Sequence, residues 1–402
     1  MTTVVPTGTE LAEAGPVRSP EDLLGLHGLL TPVERQWRDR TRAWVQERVL
    51  PVIEDDFERR HFRRELVEEM GSLGLLGMHL EGYGCAGANA VSYGLVCLEL
   101  EAGDSAWRTF ISVQGSLAMS AIAKLGSEEQ RQRWLPELAT GRAIGCFGLT
   151  EPDAGSDPSS MTTYARRDGS DWVLDGRKRW IGLASEAAVA VIWAKTDEGI
   201  RGFLVPTDTP GFRAEDITDK LALRASVQCD IHLNGCRLPA DAALPGARGL
   251  RAPFSILNEA RYGIVWGALG AARACFTAAL DHSLERQVFG RPLAGFQLTQ
   301  AKLAEMAVEY QKGFLLALQL GRRKEAGTLA PSEISVGKLN NVREAVRTAS
   351  TARTILGGDG VTHRFPVMRH MANLEAVRTY EGTDEVHLLV IGQALTGLRA
   401  FA

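Results

Sequence analysis

Trp172-Val173-Leu174-Asp175-Gly176 decides how this chain divides. Three residues with strong strand preference run into Asp-Gly, a signal for a two-residue type I′ hairpin. Ile231-His232-Leu233-Asn234-Gly235 repeats the pattern further on. Val189, Val191 and Trp193 alternate along the chain between them, as do Phe203 and Val205. Residues 143–247 therefore read as a small antiparallel β domain.

Outward from this section the period becomes helical. Upstream, Thr31-Pro32-Val33-Glu34 supplies an N-cap, a proline at the first helical position and a glutamate three residues after the cap. Val33, Trp37, Trp44, Val45 and Val49 then recur at helical spacing, and Ser127 with Gln130 makes a second capping box. Gly82 to Gly87 is the main loop of this part. Downstream, Leu303, Met306, Ala307, Tyr310, Phe314 and Leu318 mark one apolar helix face. The expected organisation is an arm over residues 1–30, an N-terminal helical domain over 31–142, the β domain over 143–247 and a C-terminal helical domain over 248–402. That is an α+β chain.

Composition narrows the function. A length of 402 residues calls for two or three cores, and a net charge of −4 gives no electrostatic footprint for nucleic acid or an anionic membrane. The six cysteines form no C-x-x-C pair, which fits a reducing compartment. The apolar run from Ile264 to Leu280 is broken by Arg273, short of the ~18–20 residues a spanning helix needs. The first thirty residues carry Glu10, Glu13, Glu21 and Asp22 and no apolar core, so they read as a loosely ordered arm, not a targeting peptide. The expectation is a cytoplasmic protein with no membrane insertion, no nucleic-acid partner and no metal site.

Four segments can carry chemistry. Gly148-Leu149-Thr150-Glu151-Pro152-Asp153-Ala154-Gly155-Ser156-Asp157 has loop composition but a particular order. Arg286-Gln287-Val288-Phe289-Gly290 reads either as a helix end capped at Gly290 or as an arginine fork for a pyrophosphate. Gly357-Gly358-Asp359-Gly360 lies outside any βαβ context, so it is no Rossmann fingerprint. Tyr380-Glu381-Gly382-Thr383 places a carboxylate before a turn and a helix cap.

In this order and spacing the four segments resemble the acyl-CoA dehydrogenase family, over roughly residues 31–402. Within it, Gly82 to Gly87, Arg108 with Ser112, Gly145 to Thr150, and Asn373 to Val377 look most like the glutaryl-CoA dehydrogenases. The resemblance implies an N-terminal helical domain, a middle β domain and a C-terminal four-helix bundle, with FAD between the last two. Leu149 and Thr150 match positions that hydrogen-bond the isoalloxazine ring, with Phe147 among the cofactor contacts. Ser156 matches a position near the flavin phosphates and the CoA chain, and Trp180 and Ile181 match the strand beside the flavin. Arg286, Phe289, Gln297 and Gly358 match contacts to the FAD of a neighbouring subunit, implying an oligomer, usually a homotetramer. Thr383 and Glu385 match the last flavin contacts, and Asn258 and Arg261 match groups that bind CoA.

The same resemblance makes Glu381 the base that removes the α-proton of an acyl thioester. Arg108, helped by Ser112, matches the group that holds a distal carboxylate, and Glu101 and Tyr380 match residues of the decarboxylating members. The electron acceptor implied is an electron-transferring flavoprotein. Departures bear on tuning: Gly182 stands where a threonine is usual near flavin N5, Leu183 replaces an asparagine, and Thr354 and Arg364 replace residues around the glycine turn. Phe110 is bulky for a neighbour of Arg108. An oxidase or a non-decarboxylating dehydrogenase would keep the fold and the base, and a nucleic-acid-binding flavoprotein is disfavoured by the charge.

Overall fold

The computed structural model describes Val17 and residues 19–400. The first part is helical: α1 (Pro32–Trp44), α2 (Ile53–Arg59), α3 (Leu66–Ser72), α4 (Ala90–Gly103), α5 (Ser105–Ile111), α6 (Ser120–Leu125) and α7 (Glu128–Thr140). Both capping boxes form: Thr31 Oγ1 accepts from the Glu34 amide while Glu34 Oε2 accepts from the Thr31 amide, and Ser127 and Gln130 do the same. The apolar spacing holds for Trp44, Val45 and Val49, which are buried, and for Trp37, which is partly so, but not at the start of α1. Val33 is exposed, whereas Glu34, Arg38 and Thr41 are buried beside Trp44. Glu34 goes inside because it caps its own helix and pairs with Arg322 and Asn89, so its lone pairs are satisfied.

The arm expected over residues 1–30 requires correction in its second half; residues 1–16 and 18 lie outside the described residues. Leu26 and Leu30 are buried, and Glu21 joins a buried ionic cluster with Arg42, Glu99 and Arg273 that also receives the Tyr310 hydroxyl. Glu21 is held at about 2: burial pushes it up, and the two arginines more than reverse that.

The middle part is one eight-stranded sheet: β1 (Gly145–Gly148), β2 (Tyr164–Asp168), β3 (Asp171–Gly182), β4 (Val189–Thr196), β5 (Gly199–Pro206), β6 (Phe212–Asp216), β7 (Gln228–Leu238) and β8 (Ala243–Arg248). The order is β6-β7-β3-β2-β4-β5-β8, with β1 on β4. It is not wholly antiparallel, because β1 runs parallel to β4 from Gly145↔Val189 to Gly148↔Ile192, and β2 meets β4 in parallel at Tyr164↔Lys195.

Neither hairpin signal turns the chain. Asp175-Gly176 lies within β3 and Asn234-Gly235 within β7, the two strands pair with each other, and the register shifts between Leu174 and Gly176. Asp175 Oδ1 accepts from the Gly235 amide at 2.7 Å, so the two signals bind one another across a bulge. Positive-φ backbone can serve a bulge as readily as a turn, and tertiary pairing chose the bulge.

The alternation in β4 is real, but both faces are buried. Ala190, Ile192 and Ala194 join one core with the long helices, while Val189, Val191 and Trp193 join a second with Phe147, Leu149 and residues of α6 and α7. One strand thus separates two cores.

The last part contains α8 (Arg251–Glu285), a hairpin of β9 (Gln287–Val288) and β10 (Arg291–Pro292), and then α9 (Gln297–Glu325), α10 (Pro331–Ile355), α11 (Val367–Val377) and α12 (Asp384–Thr396). α10 touches α8, α9, α11 and α12. α8 is long and apolar enough by composition to span a membrane, despite Arg273, but most of that stretch is buried within the protein. Arg273 is accommodated there by Glu99 and Glu21.

Candidate active site

Glu381 stands between α11 and α12 with its backbone in the left-handed region, φ 56°. Two elements hold that turn. Arg261, on α8, donates from Nε to the Glu381 carbonyl at 2.8 Å. Lys338, buried on α10, donates from Nζ to the Tyr380 carbonyl at 2.8 Å and the Gly382 carbonyl at 2.6 Å. Gly382, at φ 105°, lets His387 close in, since a Cβ there would stand 2.9 Å from His387 Nε2. Thr383 then caps α12, accepting from the Val386 amide.

The carboxylate itself is left free. Glu381 Oε2 is buried with no hydrogen-bond partner. Burial pushes the Glu381 carboxyl above the ordinary range, and Arg108, Lys338 and Arg261 pull it back without cancelling the rise. The cap at Thr383 does not reverse this, so of the two opposing influences, helix dipole and burial, burial wins.

Arg108 lies in the same site, fully buried. Its Nε donates to Glu101 Oε2 at 2.6 Å, and both side chains are 0% exposed. Its Nη2 donates to the Tyr380 hydroxyl and, at 3.2 Å, to Thr109 Oγ1. Burial disfavours the guanidinium charge, but Glu101 more than restores it. Gly267 of α8 permits this pair, because a Cβ there would collide with Glu101 Oε2 and press on the Arg108 stem. Two donors remain unused: Arg108 Nη1 and Ser112 Oγ are buried without partners. They stand four residues apart, at the start of the widened turn Ser112–Met119, and residues at that spacing share a helix face. Phe110 points away, packing on Phe62 and Trp107 in the core.

A second group forms around the end of β1. Lys178 of β3 donates to the Leu149 carbonyl at 3.1 Å, and the Arg179 amide donates to the Thr150 carbonyl at 2.9 Å. This brings Phe147, Leu149 and Thr150 beside Trp180 and Ile181. Trp180 has φ 63° and is 51% exposed, whereas Ile181 is buried. Glu151 anchors the loop, accepting from the Thr162 and Thr163 amides and from Lys178 Nζ at 2.8 Å. Ser156 lies on the exposed side of that loop. A Cβ at Gly182 would stand 3.1 Å from Val113 Cγ2, so the valine fills part of the room that a longer side chain would need.

Asn258 accepts from Arg261 one turn away on α8, and Glu385 is exposed in the first turn of α12. Arg286, Phe289, Gln297 and Gly358 are not brought to Glu381. Arg286 follows α8 directly, roughly 37 Å along the helix from Arg261 at ~1.5 Å per residue. α8 stops at Glu285, not Gly290; Phe289 and Gly290, both at positive φ, form the tip of the β9–β10 hairpin. Phe289 is 95% exposed there.

The chain matches three family models: acyl-CoA dehydrogenase N-terminal domain over residues 31–142, middle domain over 146–236 and C-terminal domain over 247–396. It belongs to the acyl-CoA dehydrogenase family. The human mitochondrial short-chain specific acyl-CoA dehydrogenase is 35% identical over 368 residues, 89% of each chain. A solved glutaryl-CoA dehydrogenase from Mycobacterium smegmatis is 60% identical, with TM-score 0.95, covering 96% of this chain and 100% of its own. A second structure of a glutaryl-CoA dehydrogenase from that organism, in complex with FADH2, is 57% identical with the same TM-score and coverage. Butyryl-CoA dehydrogenase from Megasphaera elsdenii is 30% identical with TM-score 0.88, covering 91% of this chain and 98% of its own.

Sequence reasoning passed over three groups. Lys338 belongs to a polar stripe, Ser335, Lys338 and Asn341, set among buried apolar residues of α10. Its three-residue spacing was a readable sign of a buried polar face. Glu151 and Lys178 were legible as residues, but their pairing is a tertiary fact. Thr109, beside Tyr380 and Arg108, carried no signal.

Proposed function

We propose that this chain is an FAD-dependent acyl-CoA dehydrogenase acting on glutaryl-CoA or a similar dicarboxylic thioester, with decarboxylation of the oxidised product. The observation that carries the substrate class is the pair of unused buried donors, Arg108 Nη1 and Ser112 Oγ, in the same site as a carboxylate with an unpartnered oxygen. Buried donors without partners are costly, and an acyl chain ending in a carboxylate would satisfy them. Glu101 already balances the Arg108 charge, so recognition would rest on hydrogen bonds from Nη1, Ser112 and Tyr380 more than on net charge.

The residues present fit FAD. Trp180 offers an exposed aromatic surface beside the Leu149–Thr150 backbone, and Ser156 stands on an open loop suited to a phosphate. When bound, FAD supplies the two-electron acceptor that takes the hydride from the substrate β-carbon. Phe147, Leu149, Thr150, Trp180 and Ile181 would hold its ring, with Thr383 and Glu385 at its edge. Arg286, Phe289, Gln297 and Gly358 lie too far from Glu381 to serve this chain's own site, which supports an assembly, with a homotetramer expected, in which they complete a neighbour's.

Glu381 Oε2 takes the α-proton, and a positioned base of this kind contributes ~10²–10⁴ in rate. The Glu381 amide polarises the thioester carbonyl as the α-carbon gains charge. Asn258 and Arg261 hold the CoA portion. Loss of CO₂ from the glutaconyl thioester leaves a dienolate, and Glu381 returns a proton to give crotonyl-CoA. An electron-transferring flavoprotein is the expected oxidant for the next turnover.

Anaerobic flavin reduction across a panel of acyl-CoA thioesters, with product analysis, tests this reading. Fastest reduction by glutaryl-CoA with release of CO₂ and crotonyl-CoA is the expected result. Gly182, where no side chain reaches toward the flavin position, favours a second reading as an oxidase or a non-decarboxylating dehydrogenase. In aerobic turnover, H₂O₂ without CO₂ would select the oxidase, and an enoyl thioester formed with neither would select the non-decarboxylating dehydrogenase.

A further inference from the structure

The charged group nearest in role to Glu381 is one that the proposed chemistry does not use. Lys338 is buried on α10, and an ammonium has three N–H donors. Two of them go to the carbonyls of Tyr380 and Gly382, the residues on either side of Glu381. No bond joins Lys338 to the Glu381 carboxylate, whose Oε2 stays unpartnered. The flanking residues of the stripe make similar ties: Ser335 Oγ meets His387 Nδ1 at 3.0 Å, and Asn341 Nδ2 donates to the Val265 and Gly313 carbonyls. α10 therefore fastens α12, α8, α9 and the Glu381 turn through one row of side chains.

We propose that Lys338 is a positioning residue for Glu381, gripping the carbonyls on both sides of it to fix the left-handed turn while its charge acts on the carboxylate without occupying it. This rests on Glu381 being the base. A residue other than glycine is strained in the left-handed region, so the turn needs something to hold it. A cation placed in a salt bridge with Glu381 would stabilise the carboxylate and block its lone pair. Placed on the backbone, it moderates the burial that pushes Glu381 up and leaves the oxygen open. Around Lys338 stand Glu381 and Asp384 as anions, Arg261 and Arg108 as cations, and His387, whose ring burial keeps neutral with a value of about 3. Asp384 is committed elsewhere, to Arg343 and Arg378. Burial, offset in part by Glu381, pushes the Lys338 ammonium well below the ordinary lysine range.

The test uses FAD-loaded enzyme carrying Lys338→Gln, which keeps donors but loses the charge, and Lys338→Arg, which keeps both. Difference infrared spectroscopy against Glu381→Gln reads the titration of the Glu381 carboxyl without substrate. Lys338→Gln should move that titration upward by about one pH unit or more. The pH profile of anaerobic flavin reduction should move the same way, with a rate loss of about 10–100-fold near neutrality and a smaller change in KM. Lys338→Arg should restore most of both. A loaded Lys338→Gln enzyme with unchanged titration and rate would overturn the proposal. A second measurement leaves position 338 intact: NMR of isotope-labelled lysine should show the Lys338 titration falling in Glu381→Gln, where its anionic neighbour is gone, and no change there would also overturn it. If Glu381→Gln instead reduced flavin as fast as the unaltered enzyme, the base assignment would fail, while the two spectroscopic titrations would still report on the Lys338–Glu381 coupling.

Discussion

The β domain and the helical unit each bury one glutamate near one lysine, and the two pairs come out opposite. In the β domain, Lys178 donates directly to the Glu151 carboxylate at 2.8 Å, and two backbone amides complete its shell. Burial pushes Glu151 up, but Lys178 and those bonds bring it down to about 2. In the helical unit, Lys338 gives its donors to backbone carbonyls, Glu381 Oε2 receives none, and burial raises the carboxyl. Residue types are the same; Glu151 is buried as a whole, whereas Glu381 is half-buried with its Oε2 enclosed. The deciding difference is where the lysine's hydrogen bonds go. A satisfied carboxylate is a pin, and an unsatisfied one beside cations is a base.

The largest expected break in this contrast is Glu381→Gln. Cofactor and thioester binding should persist while anaerobic flavin reduction falls by ~10²–10⁴. Stopped-flow bleaching at saturating substrate reads this. Glu151→Gln should do the reverse, leaving the rate per bound flavin near normal but destabilising the fold by about 3–5 kcal/mol, because Lys178 is left buried without its anion. Denaturant titration of the holoenzyme measures that loss.

Ser112→Ala should weaken turnover of glutaryl-CoA by roughly 10-fold, from one lost hydrogen bond to a charged group, and leave butyryl-CoA near unchanged. Equal losses on both would remove the serine from the distal end of the site. Arg108→Met is a harsher probe, because it also strands Glu101.

The gentlest test is pH. Glu151 has a depressed value, so its contribution to stability is full above its ordinary 4.5 and is lost as pH falls toward about 2. Glu381 is raised, so its contribution is full below its ordinary 4.5 and is lost as pH rises through its folded value. Relative to the unaltered enzyme, Glu151→Gln should therefore lose its handicap on acidification, and Glu381→Gln should gain stability on the alkaline side. Melting curves across pH would show the opposite slopes.

Much of the fold was legible in the sequence because caps and periodicity are local. Thr31 with Glu34, and Ser127 with Gln130, form the boxes their spacing predicts. The Asp175-Gly176 and Asn234-Gly235 signals correctly marked strands but not turns, since each strand's partner was the other and no local rule states that. Two-residue turns sit instead at Gly169-Ser170, Asp197-Glu198 and Phe289-Gly290, the last hidden because phenylalanine rarely adopts positive φ. Motif order pointed to Glu381, Arg108, Tyr380, Leu149 and Thr150, and the chain does gather these around two adjoining corners. Lys338 and the Glu151–Lys178 pair stayed hidden because their work is done across long sequence separations.

The most direct measurement is exchange of the α-hydrogens of a bound acyl-CoA with D₂O, using a thioester whose β-carbon carries no hydrogen so that oxidation cannot follow. NMR of the recovered thioester should show deuterium incorporated by the unaltered enzyme and by Glu151→Gln, and none above the uncatalysed background with Glu381→Gln. Undiminished exchange in Glu381→Gln would contradict the assignment of Glu381 as the base.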